Sequence, residues 1–203
     1  MIVFNPTLEP SMSLNRGTRA VTTSVFALLS FGAAGILAAQ KPAPQPASEA
    51  AKPRLDDPTI VAIFDAANTA DIQTGKLASE RAHSSEIRQF GAMLARDHEM
   101  VRQQGRDLAG KLGVRPTPPE GDRSAQEQAK LLHRLESLHG AEFDRAFLQH
   151  EIEFHRDVIA AVQSTLLPAI ENAELKALVV KVAPAFQAHM EMAQNLSQRL
   201  AAK

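Results

Sequence analysis

The stretch FDRAFLQHEIEFHRDVIAAV, residues 143–162, decides the fold. Its apolar residues Phe143, Phe147, Leu148, Ile152, Phe154, Val158, Ile159 and Val162 recur at intervals of three and four. That is the spacing of one face of an α-helix, and the alternation of a strand is missing. One residue is out of character. His155 stands seven after Leu148, three after Ile152, four before Ile159 and seven before Val162, in the centre of the apolar stripe. Glu151 lies one helical turn earlier in the same arc.

The same period extends outward in both directions. No Pro occurs between Thr59 and Arg115 or between Glu120 and Leu167, so helices can run long there. The first is expected from Asp57-Pro58, as N-cap and first helical residue, to about His83. Its stripe is Ile60, Ile63, Phe64, Ala67, Thr74, Leu77 and Ala78. The second is expected to be capped at Ser84-Ser85 and to end at Gly113, with Pro116, Pro118 and Pro119 beyond. It carries Ile87, Phe90, Leu94, Val101, Leu108 and Leu112. A short helix is expected over about Asp122–Leu138, with Ser124 and Glu127 forming a capping box. The quoted stretch belongs to a third long helix from Ala141 to about Leu167. A fourth follows the turn at Pro168–Asn172 and continues to the C-terminus, with a bend at the internal Pro184. The spacing thus predicts an all-α protein: an antiparallel four-helix bundle with an extra short helix in the middle crossover.

His155 has counterparts. His98 lies four after Leu94 and three before Val101. His189 lies seven after Val182, three after Phe186 and four before Ala193. Asp71 lies seven after Phe64, four after Ala67 and seven before Ala78. Each long helix therefore puts one potential metal ligand on its buried face. Asp71 and His98 are centred on the first predicted hairpin tip, and His155 and His189 fall close to the second, so all four belong at one level. Asp97 and Glu151 are placed to support them. Carboxylate plus imidazole suits Fe, Mn, Zn or Cu(II) rather than soft Cu(I). The other four His residues, His83, His133, His139 and His150, read as peripheral. Glu80-x-x-His83 and Glu136-x-x-His139 have metal-motif spacing but fall at helix ends and read as surface pairs. The methionines show no cluster that suggests copper.

Composition narrows the field. The 203 residues include no Cys, Tyr or Trp, which excludes disulfides, thiolate chemistry and Cys-based metal sites. Twenty-two Lys+Arg against 23 Asp+Glu offer no basic excess for nucleic acid. No nucleophile elbow, phosphate loop or dinucleotide fingerprint occurs. Residues 1–39 read as an export signal or N-terminal anchor: Arg16 and Arg19 precede an uncharged run from Val21 to Ala39. Met12 is a second candidate start. Residues 40–55, with Pro42, Pro44, Pro46 and Pro53, read as a linker, and 56–203 as the bundle domain. The expected location is the periplasm or cell envelope, with membrane association through the N-terminal segment.

The segments Asp71-Ile72-Gln73-Thr74-Gly75-Lys76-Leu77-Ala78, Arg96-Asp97-His98, Phe143-Asp144-Arg145-Ala146-Phe147 with His155 eight beyond, and Pro184 with His189 five later resemble the motifs of the domain-of-unknown-function 4142 family. The likeness covers about residues 56–200. It implies a ferritin-like four-helix bundle in exported bacterial proteins without an assigned activity. That family usually has Glu where this chain has Asp71, so the carboxylate here is on a shorter arm.

Two functions follow as expectations. The first is metal binding at Asp71, His98, His155 and His189, linked to stress or metal handling. The second is a non-enzymatic envelope protein, structural or interacting, whose core His and Asp form a hydrogen-bond network without metal. Neither names a substrate, a protein partner or an oligomeric state.

Overall fold

The structure is a computed structural model that describes residues 55–202. The expected export segment and all of the expected linker except Leu55 lie outside the described residues. Those residues are all-helical. None of their helices is long and apolar enough to cross a membrane.

Helix α1 spans Asp57–Arg81. Its cap is Asp56, whose carboxylate accepts the Thr59 amide at 3.0 Å, one residue before the expected position. Asp57 is engaged elsewhere: its carboxylate accepts the amides of Glu171 and Asn172 at 3.0 and 2.9 Å, at the start of the last helix. Helix α2 spans Ser85–Leu112. Ser84 precedes it as expected, but the Ser84 side chain makes no capping bond. The turn is held instead by Asp144 of a distant helix, which accepts the His83 and Ser84 amides at 2.8 and 2.9 Å. Gly113 ends α2 at φ 66°, and the Val114 amide reaches back to the Ala109 carbonyl, the left-handed stop a glycine permits.

Helix α3 spans Ser124–Glu136, shorter at both ends than expected. Its capping box does not form. The Ser124 amide and hydroxyl both bond Asp122, and Glu127 pairs with Lys130 at 2.8 Å. Helix α4 spans Gly140–Ala161 and passes into one π-helical turn, Val162–Leu166, and a short helix α5, Leu167–Ala169. The expected third helix is thus continuous in direction but not in winding. Helix α6 spans Ala173–Ala201, capped by Asn172, and continues through Pro184.

α1 pairs with α2 and α4 with α6, while α2 meets α6, α1 meets α4, and α3 lies on α1 and α4. The α1–α2 pair is close enough that a Cβ on Gly75 or Gly91 would stand 2.7 Å from the other's carbonyl oxygen. Only glycine fits there. Two apolar clusters fill the interior. One gathers Ile60, Ile63, Phe64, Ala109, Val162, Leu175, Val182 and Phe186. The other gathers Ala78, Ile87, Phe90, Leu94, Phe143, Phe147, Leu148, Ala193 and Leu196. Between them on every long helix lie buried polar residues: Asn68, Asp71 and Thr74 on α1, His98 on α2, Glu151 and His155 on α4, and His189 on α6. The core is therefore two apolar halves separated by a polar belt.

Candidate metal centre

The belt is built from one imidazole on each of three helices. The ring centroids of His98, His155 and His189 form a nearly equilateral triangle, 5.2, 5.5 and 5.6 Å on its sides. Phe186 stacks on His98 at 5.7 Å with an interplanar angle of 6°. That ring and the flanking apolar clusters exclude water, so each imidazole must find its partners within the protein.

Each finds one. Asn68 donates its amide to the Phe64 carbonyl at 2.7 Å, which fixes the orientation of the group and turns Oδ1 towards His98 Nδ1 at 3.0 Å. An acceptor there places the ring proton on Nδ1 and leaves a lone pair on Nε2. His155 Nδ1 donates to the Glu151 carbonyl at 3.0 Å, again leaving the lone pair on Nε2. His189 is reversed. Its Nε2 faces Asp97 Oδ2 at 3.4 Å, so the lone pair is on Nδ1. His98 Nε2, His155 Nε2 and His189 Nδ1 are all buried without a hydrogen-bond partner. One ligand atom from each of the three residues lies within 4.8 Å of the others. Three neutral rings, each held by one nitrogen with the other unsatisfied, suit a cation: outer partners orient a ligating imidazole and fix its tautomer.

A second set adjoins the first. Asp71, Glu151 and His155 also bring ligand atoms within 4.8 Å of one another. Asp71 Oδ1 and both Glu151 oxygens are buried without a partner, while Asp71 Oδ2 is 3.5 Å from His98 Nδ1. Burial pushes Glu151 up to about 8, opposed in part by Thr74 and Asp71. Burial, and then the Glu151 charge, hold Asp71 well above the usual carboxylate range. The imidazoles move the other way. Burial lowers His98 well below its ordinary value, with His155 and His189 adding to it. Burial and then His189 bring His155 down to about 4. His189 is lowered by burial against the opposing pull of Asp97.

The sequence-derived residues thus fall into two overlapping sets rather than one set of four, with His155 common to both. Glu151, expected in support, stands in a ligand set; Asp97 stands outside, against His189. His83, His133 and His139 are exposed, as are Glu80 and Glu136, and His150 is half-buried. Sequence reading passed over Asn68. Its signal was available: it lies four after Phe64 and three before Asp71, a polar residue in the apolar stripe. Thr74, counted there as apolar, is part of the belt.

The family model described as "Domain of unknown function (DUF4142)" matches residues 41–196. No curated protein matches the chain. A solved structure described as "CopM in the Cu(II)-bound form" is similar at TM-score 0.56 and 19% identity, covering 71% of this chain and 98% of that one. At that identity the likeness is one of fold.

Proposed function

The chain belongs to the family of the domain of unknown function 4142, and from that premise we propose that it is an exported, ferritin-like antiparallel four-helix bundle that binds a divalent metal ion for metal handling or stress defence. His98, His155 and His189 are the ligands, Asp97 orients His189, and Asp71 and Glu151 lie beside them, sharing His155, as carboxyls able to join the set. Residues 1–39 serve as the export address or anchor and 40–55 as the tether. No chemical reaction is part of this reading.

The observation that carries it is the meeting of three buried imidazoles, each with one nitrogen hydrogen-bonded and the other unpartnered, that bring one ligand atom apiece within 4.8 Å of the others. Nitrogen ligands of this kind favour Cu(II) and Zn(II) over Mn(II) or Mg(II). The Cu(II) held by the structural neighbour supports the first of these. The ligand atoms, up to 4.8 Å apart, need to close towards the roughly 3.3 Å spacing that metal–nitrogen bonds of about 2.0–2.1 Å impose in a tetrahedron. Small side-chain rotations supply that. The alternative, a hydrogen-bond network without metal, leaves His98 Nε2, His155 Nε2 and His189 Nδ1 unsatisfied, each at a cost.

The test is metal analysis and Cu(II) and Zn(II) titration of protein made without a His-tag, beside Asp71→Ala and His155→Ala. One ion per chain in the wild type, lost in His155→Ala, is expected. Stoichiometry near zero, or equal in all three proteins, sinks the reading.

A further inference from the structure

The belt is closed on nearly every side. His98, His155, Asp71 and Glu151 are each 2% exposed or less. One polar path out lies where α2 meets α6. There Asp97 has a side chain 26% exposed, and it touches the side chain of His189, 6% exposed. Asp97 is shared between inside and outside: Oδ2 faces His189, and Oδ1 pairs with Arg96, whose side chain is 66% exposed, at 2.9 Å. A groove of about 620 Å³ runs along the same α2–α6 face. Its floor and walls include Met93, Glu86 and Gln89 from α2 and Ala188, Glu191 and Met192 from α6. It reaches to one helical turn before Asp97 on one helix and to the neighbour of His189 on the other.

We infer that the α2–α6 groove is the entry and exit route for the cation, with Asp97 as its capture residue and Arg96 as the counter-ion that Asp97 gives up. This rests on the metal-binding reading and assigns it a direction. Asp97 carries the one carboxylate of the cluster that solvent reaches. It meets an arriving divalent ion with Oδ1 while Oδ2 still touches His189, whose Nδ1 is buried and unpartnered. Arg96 holds Oδ1 in the metal-free protein and keeps the groove's inner end neutral. When Arg96 swings away, the exposed carboxylate attracts the cation and raises its capture rate, on the order of tenfold.

The experiment follows Cu(II) loading by stopped-flow absorbance, and removal by excess chelator, in the bundle-containing chain. Asp97→Asn is expected to load about tenfold more slowly. Arg96→Gln loads severalfold faster. Met192→Trp, which narrows the groove, slows loading and removal alike. Loading in Asp97→Asn within twofold of wild type overturns the route. So does a change confined to the removal rate, which assigns Asp97 to positioning His189 alone. A wild type that loads Cu(II) with all three variants unchanged overturns the route and leaves the metal reading intact. A wild type that takes up none overturns both.

Discussion

The imidazole and carboxyl sides of the belt share His155 and the same burial, yet they solve that burial differently. His98, His155 and His189 each keep one nitrogen bonded, to Asn68, the Glu151 carbonyl and Asp97 respectively. They stay neutral at little cost and hold a lone pair in reserve. Asp71 and Glu151 have no such arrangement; three of their four oxygens lack a partner, and burial keeps them from ionising readily. The difference separates two properties that share one site. In the proposed reading, affinity for a metal belongs to the imidazole side, and the strain that grows with rising pH belongs to the carboxyl side.

The largest expected effect breaks the imidazole side. His98→Ala or His155→Ala lowers Cu(II) affinity on the order of a thousandfold, read by competition with a chelator, since a multi-ligand site distributes its binding free energy over few bonds. A loss of less than tenfold in both removes the imidazoles from the binding set.

Next comes the carboxyl side. In the fold Glu151 keeps its proton to about pH 8, while the unfolded chain releases it above its ordinary value of 4.5. A raised carboxyl pKa makes the metal-free domain lose stability as pH rises through that window. Glu151→Met removes the group and is expected to stabilise the metal-free domain by about 3 kcal/mol at pH 8, with a gain that grows upward from pH 4.5. Chemical denaturation at several pH values measures it; a gain independent of pH contradicts the assignment. The imidazoles impose the opposite slope. His155 is lowered to about 4 from 6.5, so its neutral burial costs stability as pH falls through that interval.

A smaller effect sharpens the contrast. Asn68→Ala leaves His98 Nδ1 without its acceptor, and Cu(II) affinity falls about tenfold, with a loss of about 1–2 kcal/mol in stability. An unchanged affinity shows that the tautomer of His98 does not depend on Asn68. The smallest change is expected from Asp71→Glu, which restores the longer arm usual in the family. Affinity stays within about threefold, and the Cu(II) spectrum reports whether the carboxyl moves into the coordination sphere.

The long helices were legible because their apolar residues keep to three and four, and the belt because His98, His155, His189 and Asp71 interrupt those stripes. What escaped has identifiable causes. Helix α1 buries Val61, Ala62 and Ile72 outside the expected stripe: Val61 joins the cluster of Ala109 and Val114, and further along α3 covers the outer side, where Gln128 donates to the Ala70 carbonyl. A one-face pattern cannot reveal a helix covered twice. The His155–His189 midpoint, residue 172, falls at the end of the second turn, because the continuation of α4 runs to Ala169 and α6 starts at Ala173. The caps failed where partners are remote in sequence. Asp144 is 60 residues from the Ser84 amide it accepts, and local motifs do not see that far.

That pairing has a consequence for how the protein opens. Asp144 on the α4–α6 hairpin grips the turn of the α1–α2 hairpin, and Asp57 on the α1–α2 hairpin grips the turn leading into α6. The two hairpins are fastened to each other at both rims. Fluctuation that unzips them from an end must first break a carboxylate clasp, and a lateral parting along the α2–α6 seam must break Asp97–His189, Lys181–Gln104, Lys111–Glu174 and Arg199–Glu86. The molecule is fastened like a case locked at top and bottom, with exposed and individually weak catches along its side.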